Sequence, residues 1–161
     1  MRLRRSLSAL PVAAGLMLGL LAASPPASAG QTVCQRLTGG FVASTLGLKV
    51  GGESTTIQGD VAVCWYRVGA NSHGVSVRVQ THDSAAGFAS DRKMAGTYGE
   101  SPKTDTHFSP YPAFSTSLGS PSYGVTYSVT VLKSKTELQV SGAGTTLARI
   151  EALAHHVLSL L

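Results

Sequence analysis

The sequence predicts an α+β fold: an antiparallel β-sheet with helices packed on one face, tied by a disulfide between Cys34 and Cys64. Three observations predict it. Two pairs of runs alternate apolar and polar residues with the two-residue period of a strand, and short turns join each pair, which implies hairpins and antiparallel pairing. The chain closes on an apolar stripe at helical spacing, which needs a sheet face to cover. Its only two cysteines lie in a chain that opens like an export signal.

Residues 1–5 carry Arg2, Arg4 and Arg5, residues 7–23 are apolar, Pro25 and Pro26 break the run, and Ala27-Ser28-Ala29 supplies the small residues a signal peptidase reads. This is the three-part pattern of a secretory signal over residues 1–29, with cleavage between Ala29 and Gly30. A membrane-spanning anchor is the competing reading, because the run is about as long as a short span. Arg4-Arg5 also fits a twin-arginine export signal, although the long apolar core suits the general route better. No Cys lies directly after the apolar core, the first being Cys34 beyond the Ala-x-Ala site, so no lipid anchor is expected. The expected location is secreted or in the cell envelope, with no membrane span left after cleavage.

Residues 30–161 then form one domain. Three of the 13 basic residues fall in the signal, which leaves ten against 8 acidic side chains. There is no basic run after the signal, so nucleic-acid binding has no electrostatic footprint.

Two cysteines in an exported chain point to one disulfide, worth roughly 3–4 kcal/mol by the loop-entropy argument. The alternative is a nucleophilic Cys64 followed by Trp65. That chemistry needs a helix N-terminus and a paired His, whereas Cys64 lies within a strand-like run.

Residues 33–46 read as helical: Thr38 can cap a turn, Phe41, Val42, Thr45 and Leu46 follow at helical spacing, and Gly47 is a natural stop. Residues 48–57 read as an irregular first strand, and Gln58-Gly59-Asp60 as a turn. In residues 61–68, Ala62, Cys64, Tyr66 and Val68 share one face and Val61, Val63, Trp65 and Arg67 the other. A disulfide to the helix turns the first set toward the helical layer. Residues 69–74 make the hairpin turn, after which Val75, Val77 and Val79 alternate with polar residues.

Asp83 or Ser84 is expected to cap a helix running to about Tyr98, with Phe88, Ala95 and Tyr98 inward and Gly99 ending it. Residues 100–122, with Pro102, Pro110, Pro112 and Pro121, read as a long surface loop holding one short strand over 113–118. Residues 124–132 and 136–141 form the second hairpin about Lys133-Ser134-Lys135. The last helix lines up Leu147, Ile150, Leu153, Ala154, Val157, Leu158 and Leu161.

No Gly-x-Ser-x-Gly elbow, Cys-x-x-Cys pair, phosphate-cradling loop or His-Glu-x-x-His motif is present. No catalytic residue, cofactor or metal ligand is assigned. His155 and His156 are adjacent on the last helix and point about 100° apart, and Glu151 is placed to pair with His155. His73, His82 and His107 read as surface residues, and Asp60, Asp83, Asp91 and Asp105 as turn or cap residues. Trp65 is the candidate for recognition: with Val63, and with Tyr127 or Tyr123 on a neighbouring strand, it would line an aromatic patch on the face the helices leave free. The competing reading buries Trp65 in the core beneath the 100–122 loop.

With these residues placed, the chain resembles a family of small exported or lipid-anchored actinobacterial cell-envelope domains of unknown function. The residues that carry the likeness are Cys34, Leu37-Thr38, Leu46-Gly47, Cys64-Trp65, Phe88, Leu118-Gly119, the hairpin over 126–140 and the helix over 148–161. The resemblance implies a disulfide-linked α+β sandwich and no established catalytic residues. The chain departs from the lipoprotein members in lacking the lipid-acceptor Cys.

The expected function is a secreted, non-enzymatic binding module of the cell envelope, its surface the uncovered sheet face around Trp65 with the 100–122 loop, and its partner an unidentified envelope protein or a small apolar ligand. The alternatives are a carrier or sensor of a small apolar ligand held between sheet and helices, and a small hydrolase using a His with a Ser or Asp near the 100–122 loop.

Overall fold

A computed structural model describes residues 28–69, 74–98, 101–120 and 124–161. The export signal, the first hairpin turn with His73, Gly99, and Pro121 to Tyr123 lie outside the described residues, apart from Ser28 and Ala29. The expected cleavage point falls in the first turn of the first helix.

The elements in chain order are α1 (Ala29–Arg36), α2 (Gly39–Leu46), β1 (Val50–Gln58), β2 (Val61–Val68), β3 (Gly74–Thr81), α3 (Ala85–Thr97), β4 (Lys103–Thr104), a 3-10 turn (Thr106–Phe108), β5 (Ala113–Ser120), β6 (Gly124–Lys133), β7 (Thr136–Ala143) and α4 (Leu147–Leu160). The strands form one antiparallel sheet in the order β1-β2-β3-β7-β6-β5-β4. Two meanders, β1 to β3 and β4 to β7, meet where β3 pairs with β7. The α+β class is as the sequence predicts.

The run 33–46, expected as one helix, is two. Thr38 is extended and its hydroxyl accepts from the Phe41 amide at 3.3 Å, so it starts a new helix rather than continuing the old one. Gly47 ends α2 in the left-handed region (φ 65°), as expected. A carboxylate from the sheet helps to seat α2: Glu53 Oε2 accepts from the Gly39 amide at 2.8 Å.

Strand parity sorts the core. Ala62, Cys64 and Tyr66 on β2 align with Val79, Val77 and Val75 on β3, which align with Leu138, Val140 and Gly142 on β7, and these with Val131, Val129 and Tyr127 on β6. On this face α1, α2 and α4 bury Val33, Leu37, Val42, Leu46, Ile150, Leu153 and Val157 in a single core. Cys34 on α1 is bonded to Cys64 (S–S 2.04 Å) as expected, and no cysteine is free. Tyr66, one strand period along, donates its phenol hydrogen to the Leu37 carbonyl at 2.6 Å. Burial pushes its phenol pKa up, and Glu53 adds to the shift.

The remaining helix, α3, takes the other face. α3 carries the chain from central β3 to the far edge, and its Phe88 packs on Phe114 and Leu132, with ring centroids of the two phenylalanines 5.2 Å apart. Phe114 and Leu132 are opposite in parity to Val129 and Val131. The one-face layer therefore holds for three helices, and α3 covers the far half of the second face. Ser84 rather than Asp83 caps α3, accepting from the Gly87 amide at 3.0 Å. Ala95 faces inward as expected, but Tyr98 is 74% exposed, because it caps the helix and the chain leaves the helical path there.

Glu137 lies under α3 with 1% of its side chain exposed, 3.0 Å from Arg78. Burial, then Asp91 and Asp83, raise its pKa from 4.5 to about 7, against the pull of Arg78. A raised acid contributes fully below its unfolded value, and that contribution is lost as pH rises through the folded value. Stability is therefore expected to fall between pH 5 and 8, by roughly 2–3 kcal/mol at ~1.4 kcal/mol per pKa unit. Thermal melts of Glu137→Gln across that range should be flatter than those of the wild type; parallel curves would contradict the assignment.

Residues 101–120 of the segment expected as a surface loop are not one. Its strand, expected over 113–118, is β5, and Phe108 inserts into the main core with 2% exposure. The preceding Asp105 is buried with it. Phe108 stacks on His155 of α4, ring centroids 4.3 Å apart. The proline spacing marks irregular backbone but gives no sign that Phe108 is a core anchor.

Candidate functional site

The half of the second face that α3 does not reach presents Ser54 and Thr56 from β1, Val63, Trp65 and Arg67 from β2, and Ser76 and Arg78 from β3. Trp65 is 37% exposed and Val63 half-buried. The reading that buried Trp65 beneath the 100–122 segment does not hold. That segment forms β4 and β5 at the opposite edge of the sheet, so it does not share a surface with Trp65 either.

Gly74 sets the position of the indole. A Cβ at residue 74 would fall 2.5 Å from Trp65 Cζ2 and 2.7 Å from Cε2, so the ring rests on bare backbone. Arg67 is the direct partner of Gly74 and of Gly52, and its Nη2 donates to the Gly51 carbonyl at 3.4 Å. Gly52, Glu53, Ser54, Trp65 and Arg67 line an open depression of about 270 Å³. Trp65 also lies in a row of cross-strand partners: Ser54, Trp65, Ser76 and Ser141 sit side by side on four adjacent strands. The row continues to Ser128 on β6, whose hydroxyl is buried.

Tyr127 does not belong to this patch. It pairs with Gly142, shares a face with Tyr66 and Val75, and packs against the main core. One strand period decides it, since Tyr127 has the parity of Val129 and Val131, which are fully buried. Tyr123 lies outside the described residues. Arg67, Ser54 and Ser76 were not singled out from sequence. Alternation already put Arg67 beside Trp65, but the register that brings in Ser54 and Ser76 needs the pairing of three strands.

The core side chains named above pack between helices and sheet with little or no exposure. The other open depressions include one beside the disulfide, lined by Cys34, Glu53, Ser54, Thr55, Cys64 and Tyr66, of about 200 Å³. Among the described residues no helix is long and apolar enough to cross a membrane.

Of the histidines, His82 lies 3.5 Å from Asp60 and both are exposed. His156 packs on Phe41, ring centroids 4.0 Å apart. Glu151 turns not to His155 but to His107, its Oε2 3.5 Å from Nδ1. Asp105 caps the 3-10 turn as expected, accepting from the His107 amide at 3.1 Å. Its Oδ1 is also 3.1 Å from His107 Nδ1. An Asp on Nδ1 is the orienting half of a hydrolytic triad, but no hydroxyl of the described residues is hydrogen-bonded to that ring. Comparison with protein families, curated proteins and solved structures finds no match to this chain.

Proposed function

We propose that the protein is an extracytoplasmic, non-enzymatic binding module of the cell envelope. Its ligand surface is the open sheet face around Trp65, and its ligand is polyhydroxylated, a neutral glycan chain. The observation that carries this reading is the exposed indole resting on Gly74 in line with the hydroxyl residues Ser54, Ser76 and Ser141, with Arg67 beside it. An indole offers an apolar platform for the C–H face of a sugar ring, while hydroxyl and guanidinium groups exchange hydrogen bonds with its edges. Adjacent strands lie about 4.8 Å apart, so the four-strand row offers contacts at intervals close to the length of one sugar unit. The export-like N-terminus and the disulfide support an oxidising compartment. The fully buried side chains packed between helices and sheet favour this surface over an internal cavity for an apolar ligand.

Trp65 is the only tryptophan in the chain, so its fluorescence reports on the site directly. Titration with soluble neutral oligosaccharides is expected to shift the emission, and insoluble polysaccharide to retain the protein. Trp65→Ala should abolish retention while leaving the melting temperature within a few degrees. No emission change across neutral glycans, or retention unaltered in Trp65→Ala, would overturn the reading.

A further inference from the structure

We propose that Asp105, His107 and Glu151 form a binding site for a divalent transition cation, with Zn2+ the best fit. The three residues each offer one ligand atom, and these atoms lie within 4.8 Å of one another. Asp105 and His107 come from the 3-10 turn that Phe108 anchors in the core, and Glu151 from α4 between buried Ile150 and Leu153. Two rigid elements thus hold the donors.

The present contacts leave the donors poorly satisfied. Two carboxylates converge on one nitrogen: His107 Nδ1 is 3.1 Å from Asp105 Oδ1 and 3.5 Å from Glu151 Oε2. That nitrogen carries at most one hydrogen, so at best one carboxylate receives a hydrogen bond along that line. The second oxygen of Asp105, Oδ2, is buried with no partner, in a side chain only 3% exposed. A buried carboxylate short of partners is costly, and a cation bound to its Oδ1 offsets part of that cost by neutralising the charge.

The spacing suits a small cation. Bonds of about 2.0–2.1 Å in a tetrahedron put neighbouring ligand atoms about 3.4 Å apart. The two separations from Nδ1 bracket that value, so a cation replacing the Nδ1 hydrogen meets both oxygens with small side-chain adjustments. Two carboxylates and a neutral imidazole bring two negative charges to a doubly positive ion. The imidazole selects against Mg2+ and Ca2+, which prefer all-oxygen shells. The Asp105 carboxylate is already oriented by the His107 amide, as metal-binding carboxylates are by their outer partners. The His107 side chain is 69% exposed, which leaves the remaining coordination position open to water or to a donor from a bound partner.

Isothermal titration of chelator-treated, disulfide-intact protein with Zn2+, and absorption spectroscopy with Co2+, test the site. One equivalent is expected to bind, with Co2+ bands of tetrahedral intensity and a raised melting temperature. His107→Ala and Glu151→Gln, both partly exposed positions that should fold, are each expected to weaken Zn2+ by about tenfold or more and to abolish the melting shift. His82→Ala, which removes the exposed pair with Asp60, should leave affinity unchanged. Absence of stoichiometric binding in the wild type, equal affinity in His107→Ala and Glu151→Gln, or loss of binding in His82→Ala would each overturn the proposal.

Discussion

Replacing both Cys34 and Cys64 by Ala is expected to lower the unfolding free energy by roughly 3–4 kcal/mol, the loop-closure entropy of a cross-link over about thirty residues. The double variant is the right probe, because a single replacement leaves one unpaired thiol that can form mixed or intermolecular disulfides once the chain unfolds. The loss should be visible in urea unfolding as a lower midpoint, and the slope should rise because the uncrosslinked chain exposes more surface when unfolded. The native fold should survive at low temperature. Tyr66 still holds the end of α1 through the Leu37 carbonyl, and Val33 and Leu37 stay buried against β2 and β3. Tyr66→Phe in the disulfide-free background should therefore cost more than the same change in the wild type, since the two clamps join the same pair of elements. A double variant within about 1 kcal/mol of wild type would show that α1 docking does not depend on the cross-link.

The pairing was legible because each part of the argument was local. Two cysteines with no third admit one bridge, and alternation in β2 fixes which neighbours share the face of Cys64. The second hairpin and the stripe of α4 were legible for the same reason: period and turn residues lie next to each other in sequence. What escaped depended on distant register or on a single side chain. Tyr127 alternates correctly, yet only the pairing of β6 with β7 and β3 shows that its face is that of Tyr66 and not of Trp65. α3 reads as one more helix, and nothing in its own composition says which face of the sheet it crosses. The run 33–46 has unbroken helical spacing, and the break at Thr38 was visible only as a cap residue in mid-run. Asp105 reads from sequence as a turn or cap residue and His107 as a surface residue, but their meeting with Glu151 needs the packing of Phe108 beneath α4. Half of the candidate surface was therefore available from sequence, through Trp65 and Val63, and the hydroxyl row and the acidic cluster were not.

Leu153→Ala is the other substitution expected to cost most, about 2–5 kcal/mol. Leu153 is fully buried in the middle of the α4 stripe, between Ile150 and Val157 on the same helix face. The cost depends on how far the surroundings collapse into the space left behind, and here they have little freedom. α4 already approaches β7 closely one turn away: a Cβ on Gly142 would lie 3.1 Å from both Ile150 Cδ1 and Val75 Cγ2. On the other side Phe108 and His155 are stacked, which fixes the 3-10 turn against the same helix. With the helix held from both sides, most of the deleted volume should persist as a cavity, which places the loss in the upper half of the range. Leu153→Met, which nearly conserves volume, should cost less than about 1.5 kcal/mol. Urea unfolding of the two variants separates cavity formation from a general intolerance of change at this position. If both lose the same amount, the helix is held by shape at that site rather than by the area it buries, and the packing account of α4 would have to be rewritten around Ile150 and Val157.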